Sequence, residues 1–61
     1  SCDEMDFKIL NGLLCDKSLP ELERALYTTQ NTIKYRIKRM KKLTGSASRK
    51  DLLDLFLTIF Y

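Results

Sequence analysis

The most informative stretch of this 61-residue chain is Thr29-Gln-Asn-Thr-Ile-Lys-Tyr-Arg-Ile-Lys-Arg-Met-Lys-Lys-Leu-Thr-Gly45. On a helix, which turns about 100° per residue, its apolar side chains Ile33, Ile37 and Met40 lie on one stripe. The opposite stripe, called the basic stripe below, carries Asn31, Lys34, Tyr35, Lys38 and Lys42. The stretch therefore predicts an amphipathic helix over residues 30–44, with one face buried and one basic face in solvent.

Positive charge is concentrated around this helix. Residues 24–50 carry nine Lys or Arg and no acidic residue, whereas residues 1–23 carry six acidic groups and two lysines. A helix face that is merely solvated usually mixes the two signs in i,i+4 pairs. The uneven distribution instead favours a surface that binds a polyanion, and the sequence suggests no local group that would neutralise it.

Length and composition restrict the class of protein. Sixty-one residues predict a single domain, near the lower size limit for one apolar core. With no His, and with only Cys2 and Cys15, we expect no metal, no cofactor and no disulfide framework. Cys15 is interpreted as a small buried hydrophobe. No apolar run approaches about 18 residues and no signal peptide is visible, which predicts a soluble cytoplasmic chain with no membrane partner.

Two helices are predicted before the basic one. Asp3 is the expected N-cap of a helix from about 4 to 15, whose apolar residues recur at helical spacing. Ser18 and Glu21 form a capping box, which starts a short helix that ends near Leu26. The few residues between this helix and Gln30 leave no room for a loop, which favours a helix-turn-helix arrangement. Tyr27 is interpreted as a core plug between the two helices.

A fourth helix is predicted from about 49 to 60, after Ser48 as the N-cap. It is apolar over much of its circumference, so it needs two partners. The face that we expect to close the three-helix core consists of Leu52, Leu55, Phe56 and Ile59. The second face, which we expect to pack against another copy in a two-fold dimer, consists of Leu53, Leu57, Phe60 and Tyr61. Alternatively, this helix covers sequence upstream of Ser1.

A register of apolar and polar positions runs through nearly the whole chain: Ile9, Leu10, Ser18, Glu21, Leu22, Leu26, Thr32, Ile33, Lys34, Ile37, Met40, Arg49, Leu52 and Leu53. This register resembles the LuxR/GerE-type DNA-binding domain. The resemblance implies an all-α, four-helix helix-turn-helix domain, with a tri-helical core, a third helix that reads the major groove and a C-terminal dimerisation helix. The chain departs from the pattern at Asp16, where the family commonly has Gly, and at Glu23, where it mostly has Ala.

Residues 31–37 together with Leu43-Thr44-Gly45 also resemble the helix-turn-helix that ends PucR-type regulators, which is the second choice. Both families imply DNA binding by a bacterial transcriptional regulator. The LuxR/GerE family commonly follows a receiver or ligand-binding domain, so the resemblance implies a response regulator or sensor. The start at Ser1 without Met accordingly predicts a C-terminal fragment of a longer regulator.

Individual roles follow from the chemistry of double-stranded DNA. Lysine can donate to guanine O6 and N7, a tyrosine ring can contact a thymine methyl group, and an amide can read adenine. The predicted base-reading residues are Lys34, Tyr35 and Lys38, with Gln30 or Asn31 as a possible adenine reader. The predicted phosphate contacts are Thr29, Thr32, Arg39, Lys41, Lys42, Arg49 and Lys50. Arg36 lies at the core edge, where a structural role competes with DNA contact.

Other functions have weaker support in the sequence. An enzyme is not expected, because no nucleophile lies beside a base and no Gly-rich phosphate loop is present. A protein-interaction module that uses the apolar fourth helix and the basic third helix is the main alternative. RNA binding is a third, although the chain lacks the cluster of aromatic residues that stacks single-stranded bases.

Overall fold

A computed structural model describes residues 3–61, so the prediction for Cys2 lies outside the described residues. The described chain forms four helices and no strand, which confirms the predicted all-α class. The helices are α1 (Glu4–Leu14), α2 (Leu19–Leu26), α3 (Gln30–Thr44) and α4 (Arg49–Phe60). In this part of the chain, none of them has the length and apolar content that a membrane span requires.

Side chains at the helix ends account for these boundaries. The Asp3 carboxylate accepts from the Asp6 backbone N–H, and the Ser18 hydroxyl accepts from that of Glu21. In both pairs the N3 side chain accepts in return from the N-cap backbone N–H, which completes a capping box. Gly45 ends α3 in the left-handed conformation with φ 72°. All three predicted boundaries are confirmed.

The core lies where the four helices meet. Ile33, Ile37 and Met40 of α3 are buried, as the amphipathic pattern predicts. The other buried apolar residues are Ile9, Leu10, Leu13, Leu22, Leu52 and Phe56. α1 and α2 approach closely at Gly12, since a Cβ there would collide with the Leu22 side chain. Burial of α3 on one face leaves its opposite face in solvent.

Cys15 and Tyr27 differ from their predictions. Cys15 is exposed as the C-cap of α1, one residue beyond the apolar stripe of that helix. Tyr27 is 94% exposed and ends α2 with φ 54° and ψ 45°. The left-handed turn directs its ring outward, so it plugs no space between α2 and α3.

The predicted core face of α4 is confirmed at Leu52 and Phe56 and is wrong at Ile59. The side chains that meet the core lie along Leu52 and Phe56, with Leu53 packed beside them. Ile59, which was assigned to the core face, is 62% exposed at the edge of an apolar groove of about 200 Å³. The side of α4 that meets the core is therefore rotated about the helix axis toward the second predicted face, because it includes Leu53 and excludes Ile59.

Two residues of the predicted dimer face make contacts within the chain. The Phe60 ring lies edge-on to Phe7, with centroids 5.2 Å apart, and 4.9 Å from the Phe56 ring. The Tyr61 hydroxyl donates to Asn11 Oδ1 at 2.9 Å. These contacts join the end of α4 to α1, although both rings stay partly exposed. Leu57, on the other edge of α4, is also exposed.

Candidate nucleic-acid interface

The basic stripe of α3 is exposed along its whole length. All five of its members are open to solvent, including the ring of Tyr35. The ion pairs of residues 3–61 involve Lys8, Arg36 and Arg39, and none involves Lys34, Lys38 or Lys42. The stripe therefore presents three unpaired ammonium groups and one phenol on a helix whose other face is fixed in the core.

The start of α3 adds donors beside this stripe. Thr29 caps the helix, because its hydroxyl oxygen accepts from the Thr32 backbone N–H at 3.1 Å. The same hydroxyl donates to Thr32 Oγ1 at 3.0 Å, so the Thr29 side chain is already used within the cap. The backbone N–H groups of Gln30 and Asn31 have no intrahelical acceptor, as is general for a first turn. An anion is favoured at this end by those N–H groups and by the helix dipole.

A cluster of four ionised side chains, called the α1–α3 ion cluster below, joins the start of α1 to one flank of α3. Arg36 Nη1 donates to Asp3 Oδ1 and Oδ2 at 2.9 Å each, and to Asp6 Oδ1 at 3.1 Å. Arg39 Nη2 donates to Asp6 Oδ2 at 2.8 Å. The Asp6 side chain is fully buried, whereas the other three remain partly exposed.

The ion cluster corrects two sequence-based expectations. Arg39 was predicted to contact phosphate, but its guanidinium group is bound to Asp6 and its Nε is buried with no partner. The basic segment was also expected to lack a local counterion, because residues 24–50 contain no acid. Folding supplies Asp3 and Asp6 from a segment some 30 residues earlier. Arg36 takes the structural role that the sequence left open.

Hydrogen bonds within the α1–α3 ion cluster shift the pKa values of Asp3 and Arg36. The Arg36 guanidinium group, followed by the backbone N–H of Asp6, lowers the pKa of Asp3 from its ordinary 3.8. The hydrogen bonds to Asp3 and then to Asp6 raise the pKa of Arg36 above its ordinary value. Both shifts favour the ionised forms, so the cluster is stabilised whenever the Asp3 carboxylate is ionised.

The Asp3 shift predicts an acid-dependent difference between the wild type and Asp3→Asn. Because the folded pKa of Asp3 lies below the unfolded one, its stabilisation is fully present above about pH 3.8 and is lost as the pH falls through the folded pKa. Asparagine is also a good N-cap, so this variant changes the charge and keeps the cap. We expect urea denaturation to find the variant less stable at pH 7 and the difference to shrink below pH 3.8. A difference that stays constant down to pH 2 would contradict this.

The remaining predicted phosphate contacts lie in two places. Lys41 is half-buried on the flank of α3, and Thr32 is half-buried in its first turn. Arg49 and Lys50 are exposed at the start of α4, where they line a surface groove with the end of α1 and with Asp16, which lies just beyond that helix. The structure thus groups the basic stripe and the α3 N-terminus on one helix, with Arg49 and Lys50 on another.

Asp6 is the important residue that sequence reasoning missed as part of the site. An acid in the first turn of a helix is favoured by the helix dipole, so its residue type alone does not indicate a further role. However, residues 6, 9, 10 and 13 share one stripe of α1, and the last three are the apolar core positions Ile9, Leu10 and Leu13. An acid at a core position needs a cationic partner. The position of Asp6 on the apolar stripe of α1 is therefore the sequence feature that indicates a buried ion pair.

Comparison with protein-family models, with curated proteins and with solved structures finds no match for this chain. The functional interpretation therefore depends on the geometry of α3 and its surroundings.

Proposed function

We propose that this chain binds double-stranded DNA in a sequence-specific manner, as the DNA-binding domain of a bacterial-type transcriptional regulator with α3 in the major groove. The observation that carries the proposal is the basic stripe, in which Lys34, Lys38 and Lys42 are exposed and unpaired on a helix anchored by its opposite face. A DNA-binding surface needs unpaired cations on a rigid element, both to neutralise phosphates and to read base edges.

The dimensions of α3 suit the major groove. Its 15 residues give a length of about 22 Å, and the groove is about 12 Å wide. Lys34 and Lys38 are four residues apart, about 6 Å along the helix axis, so their ammonium groups can reach bases of neighbouring steps. Tyr35 lies between them and offers its ring to a thymine methyl group. Together, the three residues can read a short run of base pairs.

The connection between α2 and α3 supports the helix-turn-helix assignment. Only Tyr27, Thr28 and Thr29 separate the two helices, and the left-handed conformation of Tyr27 reverses the chain at once. The Tyr27 and Thr28 backbone N–H groups both donate to the Glu23 carbonyl, which closes the end of α2. A connection of three to four residues is typical of this motif.

Among the families that use this motif, we favour LuxR/GerE first and PucR second. Asp16 adopts φ 59°, a left-handed conformation, at the position where LuxR/GerE domains commonly have Gly. Asp is one of the few other residues that tolerate this conformation. The departure from the family pattern is therefore one that preserves the turn. In this reading, an upstream receiver or sensor domain controls DNA binding.

The second part of the proposal is a homodimer through α4. Its exposed apolar residues are Leu57, Ile59 and Phe60, and Leu43 is exposed near the end of α3. A domain of this size gains stability from pairing, and two copies would present two recognition helices. Such a dimer implies an inverted-repeat site whose half-sites lie about one helical turn apart.

The dimer is tested by the substitution Leu57→Glu. Leu57 is 41% exposed and carries little of the core, so a charge there is expected to prevent association while the helices remain folded. Thr58→Glu, one residue further on the polar side of α4, is the matched control. Sedimentation velocity over a range of concentrations should show a dimer for the wild type and for Thr58→Glu, and a monomer for Leu57→Glu. A wild type that stays monomeric both alone and on DNA would exclude the dimer.

DNA binding itself is tested by titrating the wild type with a random-sequence duplex and then selecting preferred duplexes from that pool. Neutralising about five to eight phosphates per dimer predicts that log K falls against log salt with a slope of roughly −5 to −7. A slope near zero would contradict a phosphate-binding surface. A steep slope with no preferred duplex would limit the function to non-specific binding.

A protein-interaction module remains the second candidate, because the groove beside Ile59 and Phe60 is apolar and open. It predicts no duplex affinity at physiological salt and binding that depends on α4. Single-stranded RNA serves as a third ligand in the same titration. Tighter binding to RNA than to the duplex would identify the chain as an RNA-binding domain instead.

A further inference from the structure

The cations of α3 fall into two groups according to their surroundings. Lys34, Lys38 and Lys42 project into solvent without a carboxylate partner among residues 3–61. Arg36 and Arg39 are held by carboxylates of α1 at 2.8 to 3.1 Å. Neighbouring cations of the same helix therefore differ: the lysines are free to bind a ligand, and the arginines are bound to α1.

Arg39 lies at the edge of the basic stripe. It follows Tyr35 by four residues and precedes Lys42 by three, and residues with these spacings are neighbours on a helix surface. A long guanidinium side chain at this edge could reach a phosphate if it were free. Its bond to Asp6, whose side chain is fully buried, instead turns it toward the core.

Both carboxylate oxygens of Asp6 accept hydrogen bonds, so neither arginine is easily released. Its Oδ1 accepts from Arg36, and its Oδ2 accepts from Arg39 and from the Asp3 backbone N–H at 3.2 Å. Moving either arginine to DNA would leave the buried Asp6 carboxylate with fewer donors, which is strongly unfavourable. A phosphate at the surface cannot offer the same gain, because the guanidinium group already has a charged partner.

We propose that Asp6 is a positioning residue for DNA recognition, which withholds Arg36 and Arg39 from phosphate and fixes α3 against α1, so that only the basic stripe meets the duplex. This inference rests on the proposed function. Its consequence is selectivity: non-specific affinity comes chiefly from cations that reach phosphate, and withholding two arginines per copy keeps that contribution low. Base readout by the stripe then makes up a larger share of the total affinity.

The test measures the salt dependence of duplex binding for matched single substitutions. Lys42→Gln should make the slope of log K against log salt shallower by about one per copy, because a phosphate contact is lost. Arg36→Gln and Arg39→Gln remove the same charge from the same helix, yet should leave the slope within experimental error of the wild type. If either arginine contacted phosphate, its variant would lose as much slope as Lys42→Gln. Circular dichroism checks that each variant is folded.

The complementary variant is Asp6→Asn, which keeps the shape of the side chain and removes its charge. We expect the slope to steepen by about one per copy, because Arg39 is released while Arg36 stays bound to Asp3. Random-duplex affinity should rise several-fold, and the ratio of selected-duplex to random-duplex affinity should fall. If this variant does not fold, the Arg36→Gln and Arg39→Gln slopes decide alone. A loss of slope for Arg39→Gln equal to that for Lys42→Gln would overturn the inference.

The inference and the proposed function fail in different ways. If the wild type has no duplex affinity, both are overturned before any variant is measured. If the wild type binds and selects a duplex but Asp6→Asn keeps its slope and its selectivity, DNA binding stands. Asp6 is then only a structural residue.

Discussion

Replacing Lys34 and Lys38 together by Ala is expected to weaken binding to the selected duplex by roughly 30-fold or more. Each base-reading contact in the major groove contributes about 1 to 3 kcal/mol, so the two together contribute about 2 to 6 kcal/mol. Both side chains are exposed and make no ion pair within residues 3–61, so the fold should not depend on them. Fluorescence anisotropy at fixed salt measures the loss, and circular dichroism should be unchanged.

The matched control is Lys8→Ala together with Lys17→Ala. These substitutions remove the same net charge from exposed positions outside α3. If overall charge alone governed binding, both pairs of substitutions would weaken it equally. We expect the control pair to change affinity only slightly at physiological salt. Retained affinity in the Lys34 and Lys38 variant would exclude α3 as the reading element.

The second large effect concerns stability. Asp6→Ala is expected to lower the free energy of unfolding by about 3 kcal/mol, because breaking a buried ion pair leaves its partners uncompensated. The core of a domain of this size contributes only about 3 to 5 kcal/mol to the free energy of unfolding. Much of the variant should therefore be unfolded at 37 °C. Urea denaturation followed by helical circular dichroism measures the change.

A double-mutant cycle separates the ion pair from simple loss of packing. Asp6→Leu leaves Arg39 without its carboxylate, whereas Asp6→Leu with Arg39→Met removes both charges. Replacing a buried pair by apolar side chains is often neutral, so the second substitution should recover part of the lost stability. Additive effects would show that Asp6 and Arg39 do not stabilise each other. A cost below about 0.5 kcal/mol for Asp6→Ala would place it among ordinary surface positions.

Local chemistry made most of the helical architecture predictable. Capping depends on residues three apart in the sequence, and Ser18 with Glu21 is recognisable without any tertiary information. The burial of Ile33, Ile37 and Met40 follows from helical periodicity. The exposure of the basic stripe follows from the same periodicity, which is why the stripe was predictable residue by residue.

The parts that could not be predicted depend on contacts between distant segments. The sequence separates Asp6 from Arg39 by 33 residues, so the partner of each could only be found in the folded chain. The orientation of α4 is a similar case, because Leu53, Leu55 and Ile59 are all apolar and periodicity alone allows several rotations. Contacts such as Phe60 with Phe7 select one of them. The exposure of Tyr27 depends on its left-handed backbone, which the surrounding residue types do not dictate.

The proposed function requires the exposed face of α3 to contact double-stranded DNA. Titrating the isotopically labelled chain with its selected duplex, and following backbone amide chemical shifts by NMR, locates the contact directly. We expect the largest shifts on residues 29–42, at the α3 N-terminus and along the basic stripe. Smaller shifts are expected at Arg49 and Lys50, with little change over the rest of α4. Shifts concentrated on α4 with α3 unchanged, or no shifts at all, would contradict the proposed function.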